Sequence, residues 1–112
     1  MIIGRAVEGE NARKILSDAL ISKESVKPFT PYFHHYVLEA MIKIGMTDKA
    51  FSYMKNYWGE MVKQGADTFY EAFVPEDPEF SPYGDRMMNS MCHAWSCTPS
   101  YFIRKLSPEF HN

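Results

Sequence analysis

The sequence predicts an all-α fold of antiparallel helical hairpins, and three observations predict it. Apolar residues recur at intervals of three and four through successive windows, the spacing of amphipathic helices. A hydroxyl residue followed by proline, a helix-start signal, occurs at Thr30-Pro31 and again at Thr98-Pro99. Gly45 and Gly65 stand where two of the periodic segments end, and glycine is the commonest residue to close a helix.

Residues Met1 to Gly9 carry no period and read as a lead-in. From Ala12 the stripe Ala12, Ile15, Leu16, Ala19 and Leu20 marks a first helix, with Asn11 as its N-cap. Residues Ser22 to Phe29, with Pro28, form a connection. Thr30-Pro31 opens a second helix to about Ile44, with Phe33, Val37, Ala40, Met41 and Ile44 on one face. Leu38 and Ile42 extend a second apolar face, so neighbours on two sides are expected. Thr47 opens a third helix whose buried side is Ala50, Met54, Tyr57, Trp58, Met61 and Val62. The short link through Gly45 makes the second and third helices a hairpin.

The segment Pro75 to Asp85 holds three prolines and four acids, which excludes regular structure. A loop of that length in a compact domain is usually functional or mobile. Helical character is expected again from Arg86, with a break at Thr98-Pro99 and a last helix to about Leu106. Residues 107–112 read as a frayed tail.

The chain has 112 residues, 46% hydrophobic and 23% charged, the balance of a globular chain rather than a disordered one. That length allows one domain, residues 1–112. A net charge of −2 with no basic block argues against a nucleic-acid surface. No apolar run approaches the ~18 residues of a membrane span. The opening Met1-Ile2-Ile3-Gly4-Arg5 is too short for the core of a signal peptide. With no signal peptide in this stretch a cytoplasmic location is the expectation, although in a fragment that says little about the parent. Cys92 and Cys97, five apart on one helix, read as buried thiols in a reducing compartment, with a disulfide or metal pair as the alternative.

His34 and His35 are adjacent and point to different helix faces, and Cys92-His93 lacks further ligands at usable spacing. The acidic loop lacks a calcium-loop ladder. No metal and no cofactor is therefore expected.

Two runs carry the functional signal. Gln64-Gly65-Ala66-Asp67-Thr68-Phe69-Tyr70-Glu71 places two carboxylates and two aromatics just past a helix end. His93-Ala94-Trp95-Ser96 adds an imidazole and an indole. Carboxylates perform proton transfer, and flat rings with a few polar groups make a sugar pocket. The same residues also suit an ordinary helix end and loop.

The segments Thr30-Pro31-Tyr32-Phe33, Gly65 to Glu71, Ser81-Pro82-Tyr83-Gly84-Asp85 and His93 to Pro99 together resemble the late catalytic domain of bacterial α-L-rhamnosidases. The similarity runs from about Asn11 to Lys105. Those glycosidases are built on an (α/α)6 toroid of six helical hairpins, which needs several hundred residues. The resemblance therefore implies a C-terminal fragment of the toroid, its closing hairpins.

It further implies hydrolysis of terminal α-L-rhamnose from glycosides by inversion, with Glu71 as the general base. Inverting enzymes hold their two carboxyls about 6.5–9.5 Å apart to admit the attacking water. The general acid lies upstream and is absent from this chain, so the chain alone is expected to be inactive. His93 is implied as a partner for a sugar hydroxyl, with a satisfied core histidine as the alternative. Tyr70 and Trp95 are implied as sugar-stacking rings; core packing is the alternative for both. Asp67 stands where many relatives have threonine, so it reads as a capping or supporting carboxylate.

The implied partners are rhamnose-containing glycosides, with no nucleic acid and no membrane. A homo-oligomer, or complementary hairpins of the parent toroid, would cover the apolar faces. The rival readings are a non-catalytic carbohydrate-binding or protein-interaction module, or a toroid glycosidase acting on another sugar.

Overall fold

The computed structural model describes residues 2–22 and 27–107. Among them are four α-helices: α1 (Gly9–Ile21), α2 (Pro31–Lys43), α3 (Thr47–Lys63) and α4 (Thr98–Leu106). Single 3-10 turns occur at Arg86–Met88 and Ala94–Ser96. The expected all-α class is what the structure shows. Residues 23–26 of the expected first connection and 108–112 of the expected tail lie outside the described residues.

The helix ends explain the hairpin. Gly45 and Gly65 adopt φ of 77° and 97°, a conformation open to glycine at little cost. At each end two backbone bonds close the last turn. Met46 N–H reaches Met41 O at 2.8 Å and Gly45 N–H reaches Ile42 O at 3.0 Å. The same pattern links Ala66 to Met61 at 3.1 Å and Gly65 to Val62 at 3.0 Å. Both are Schellman closures, and Met46 and Ala66 pack back onto the core as that motif favours.

The core forms between α2 and α3 and is closed by α4. Leu38 and Met41 of α2 meet Ala50, Met54, Tyr57, Trp58 and Met61 of α3, with Phe73 and Phe102 filling the ends. Leu16 and Leu20 of α1 pack against this cluster. Arg13 Nε donates to Ile44 O at 3.0 Å and joins α1 to the α2–α3 turn. Lys27 Nζ donates to Ala19 O at 2.7 Å and Leu20 O at 3.0 Å, satisfying carbonyls at the end of α1.

Several expected details are corrected. Helix α1 begins at Gly9, with Glu8 rather than Asn11 at the N-cap and no side-chain cap. Glu10 lies in its first turn and pairs with Arg13 at 3.2 Å, both favourable for a helix start. Val62 is exposed, because Met61 takes the core-facing position and the next residue turns away. Thr98 is the first residue of α4, not its cap. It is buried, and its Oγ1 lies 3.2 Å from His35 Nδ1.

The largest correction concerns residues 86–97, expected to be helical. Some of their backbone groups close isolated 3-10 turns, and others bond across the chain. Glu71 N–H donates to Ser90 O at 2.9 Å and His93 N–H to Phe69 O at 2.8 Å. A residue paired across the chain in this way cannot also complete an i to i−4 ladder. Cys92 and Cys97 lie on this irregular segment, both exposed with free thiols, not buried on one helix.

The molecule is a slab of 42 × 42 × 22 Å, about two helix diameters thick. Its accessible surface is 7704 Å², against roughly 6300 Å² for a compact monomer of this mass. Phe33, 56% exposed, and Ile103 of α4 contribute to that excess.

Candidate functional site

The two functional runs lie side by side after α3 and before α4. Besides the backbone bonds at Glu71 and His93, Ser96 Oγ donates to Tyr70 O at 2.7 Å. Thr68 Oγ1 donates to Met91 O. Trp58 Nε1 of α3 donates to Ser96 O at 3.0 Å, and Tyr57 Oη donates to Phe73 O at 2.8 Å. Two buried α3 side chains thus clamp the end of the second run, and the chain two residues past the first, to the core.

The loop between the runs is fastened too. Asn89 is buried; its Nδ2 donates to Phe80 O at 2.9 Å and its Oδ1 accepts from Ser81 Oγ at 2.8 Å. Phe80 packs on Phe29 with centroids 5.4 Å apart. The acidic loop therefore has a defined path and delivers Tyr83 to Glu71.

Glu71 is half-buried, and each carboxylate oxygen has a donor. Tyr83 Oη donates to Oε1 at 2.6 Å and Ser90 N–H to Oε2 at 2.9 Å. The Tyr83 bond, then the Ser90 bond, lowers the carboxyl pKa; partial desolvation opposes them and the nearby His93 charge assists them. The backbone bonds from Glu71 to Ser90 and from His93 to Phe69 set Glu71 and His93 on paired segments, and the Tyr83 and Ser90 donors favour the ionised carboxylate. The same contact raises the Tyr83 hydroxyl pKa, first through the hydrogen bond and then through the carboxylate charge.

Trp95 stands beside His93, edge to face at 5.7 Å. It is 69% exposed, which overturns the core-indole alternative. The 3-10 turn at Ala94–Ser96 buries Ser96 and leaves the indole outside. Tyr70 goes the other way. It packs against the core and lines a separate cleft of about 310 Å³ with Gln64, Phe73, Arg86 and Met91. Asp67 is exposed.

Tyr83 and Ser90 were missing from the residues singled out by sequence. Tyr83 lay within a quoted motif, which was the available signal; Ser90 acts through its backbone and had none. His34 and His35 do point apart. His34 is buried against Tyr53 and Tyr57, while His35 meets Phe102 and Thr98. Among the described residues no three His, Cys, Asp or Glu side chains gather as a metal site. No described helix is long and apolar enough to cross a membrane.

No protein-family model and no curated protein matches the chain. A solved structure does: a rhamnosidase from Klebsiella oxytoca with rhamnose bound, 47% identical with a TM-score of 0.78. The match covers 83% of this chain and 18% of that one. The resemblance carried by the two runs is thereby shown for this segment: the chain is similar in sequence and fold to 18% of a rhamnosidase.

Proposed function

We propose that this segment supplies the general base and part of the pocket wall of an enzyme that hydrolyses terminal α-L-rhamnose from glycosides with inversion. The observation that carries the reading is the Glu71 carboxylate, held by Tyr83 and Ser90 beside His93. It stands in a segment 47% identical to a rhamnosidase. A base that takes a proton from water must be ionised and aimed. Two donors on opposite oxygens do both, at the cost of some basicity.

In the proposed step, water attacks the anomeric carbon as its proton passes to Glu71. The leaving oxygen takes a proton from an acid on another part of a six-hairpin toroid. His93 is a hydrogen-bonding partner for a sugar hydroxyl, and the exposed Trp95 indole offers a face to the ring. Tyr70, packed inward, backs the wall rather than forming its surface. Residues 1–112 act as one partial domain. The flat shape and excess surface support completion by complementary hairpins or a second copy.

The test is Glu71→Gln in an enzyme that contains this segment. Turnover should fall by roughly 10²–10⁴-fold, with rhamnose affinity little changed. Unchanged turnover would sink the assignment. The isolated chain should not turn over an aryl rhamnoside; turnover abolished by Glu71→Gln would show that a carboxyl within this chain serves as the acid.

A further inference from the structure

A row of rings leaves the Glu71 site and continues onto the first turns of α2. From Trp95 the next ring is Tyr32, at 5.3 Å between centroids, and beyond it Tyr36, at 5.2 Å and edge-on. The Tyr32 and Tyr36 hydroxyls lie 2.6 Å apart and share one hydrogen bond. That bond uses one of their two protons, leaving a second proton and further lone pairs for another partner. Trp95 and Tyr36 are both exposed. The row is therefore apolar on its ring faces and polar at its far end.

We propose that Tyr32 and Tyr36, reached from Trp95, form a subsite for the sugar residue to which the rhamnose is attached. The segment would then favour rhamnosyl-saccharides over rhamnosides of apolar aromatic groups. The inference rests on the rhamnose reading of Glu71 and His93. A sugar ring has a C–H face for the rings and hydroxyls for the tyrosine pair, whereas an apolar aryl group would leave that pair without a partner. Ligand sites of this kind combine apolar walls with a few placed polar groups, and a tyrosine supplies both in one side chain. The continuity from His93 through Trp95 to Tyr32 places the pair next to the sugar-cleaving position rather than on a remote face.

The experiment measures binding of L-rhamnose, a rhamnosyl-(1→6)-glucose disaccharide and phenyl α-L-rhamnoside to the 112-residue chain by ligand-observed NMR. The disaccharide should bind about tenfold more tightly than rhamnose, the scale of one aromatic contact with its hydrogen bond. Tyr36→Ala should remove that gain and leave rhamnose affinity as it was. Tyr36→Phe should lower disaccharide affinity but not that of the phenyl glycoside. Tyr36 is exposed, and circular dichroism confirms that each variant keeps its helices. Equal affinity for rhamnose and disaccharide overturns the subsite alone. A phenyl glycoside bound as tightly as the disaccharide, with Tyr36→Phe silent, also overturns it by making the row an aryl platform. Failure of all three ligands to bind overturns the subsite as a property of this chain, while the Glu71 reading stands or falls on the Glu71→Gln test in an enzyme that contains the segment.

Discussion

Tyr83 Oη donates to Glu71 Oε1 at 2.6 Å, so the acidic loop is anchored on the Glu71 carboxylate. The bond is the largest influence holding the Glu71 pKa below its ordinary value. Tyr83→Phe removes it and leaves the Ser90 N–H in place. The Glu71 pKa, followed by carboxyl NMR, should move up toward the usual glutamate range. A pKa that stays put would show that Ser90 and His93 set it.

The sign of the pH effect follows. A carboxyl with a depressed folded-state pKa adds stability above its unfolded pKa and loses it as pH falls through the folded value. Glu71 therefore weakens the fold only in acid, and Tyr83→Phe should reduce that dependence.

His34 gives a second pH dependence in a higher window. Its ring is buried, stacked on Tyr57 at 3.7 Å. Nε2–H donates to Pro28 O at 2.9 Å, which leaves Nδ1 to accept from Tyr53 Oη at 2.6 Å. Burial is the main cause that pushes the pKa down to about 4, opposed by the Pro28 bond. The folded chain thus holds His34 neutral while the unfolded chain protonates it near 6.5. Stability should be full above that value and fall toward pH 4, by roughly 3 kcal/mol at most. Urea unfolding at stepped pH measures the slope, and His34→Gln should flatten it.

The extent of legibility in the sequence follows from how far apart the interacting residues are. Helices α2 and α3 were readable because their signals are local: Thr30 Oγ1 accepts from Phe33 N–H at 3.4 Å, three residues on, and Gly45 and Gly65 close their own helices. Residues 86–97 were misread because their backbone partners are at Phe69 and Glu71, and no periodicity records such a pairing. Trp95 looked like core for the same reason, since an apolar pattern read as helix predicts burial that a 3-10 turn does not provide. Glu71 and His93 were named through resemblance; their meeting depends on long-range bonds between the two runs. Tyr83, twelve residues from its partner, was visible only as part of a motif.

Two glycines of the same helical hairpin should respond oppositely to alanine. Gly59 lies within α3 and a Cβ there meets nothing within 4 Å. Gly59→Ala should stabilise by about 0.8–1 kcal/mol, the difference in helix propensity. Gly65 has equal space, but its φ is 97°, so Gly65→Ala should cost about 1–2 kcal/mol of backbone strain. Thermal unfolding of both variants checks this, and a common sign would refute the conformational account of the α3 end.

The last prediction concerns assembly. Large apolar patches are rare on soluble monomers, yet Phe33 and Ile103 stand exposed on a slab 22 Å thick. Burial of apolar area drives association at about 25 cal/mol per Å² before the entropic cost of bringing two chains together. We expect the chain to self-associate as concentration rises in sedimentation velocity runs, and to bind an apolar dye when dilute. Phe33→Ser and Ile103→Ser should shift the equilibrium toward monomer with little loss of stability, because neither side chain is in the α2–α3 core. A monomer at every concentration that binds no dye would mean these faces need no cover, and would remove the support they give to a larger toroid.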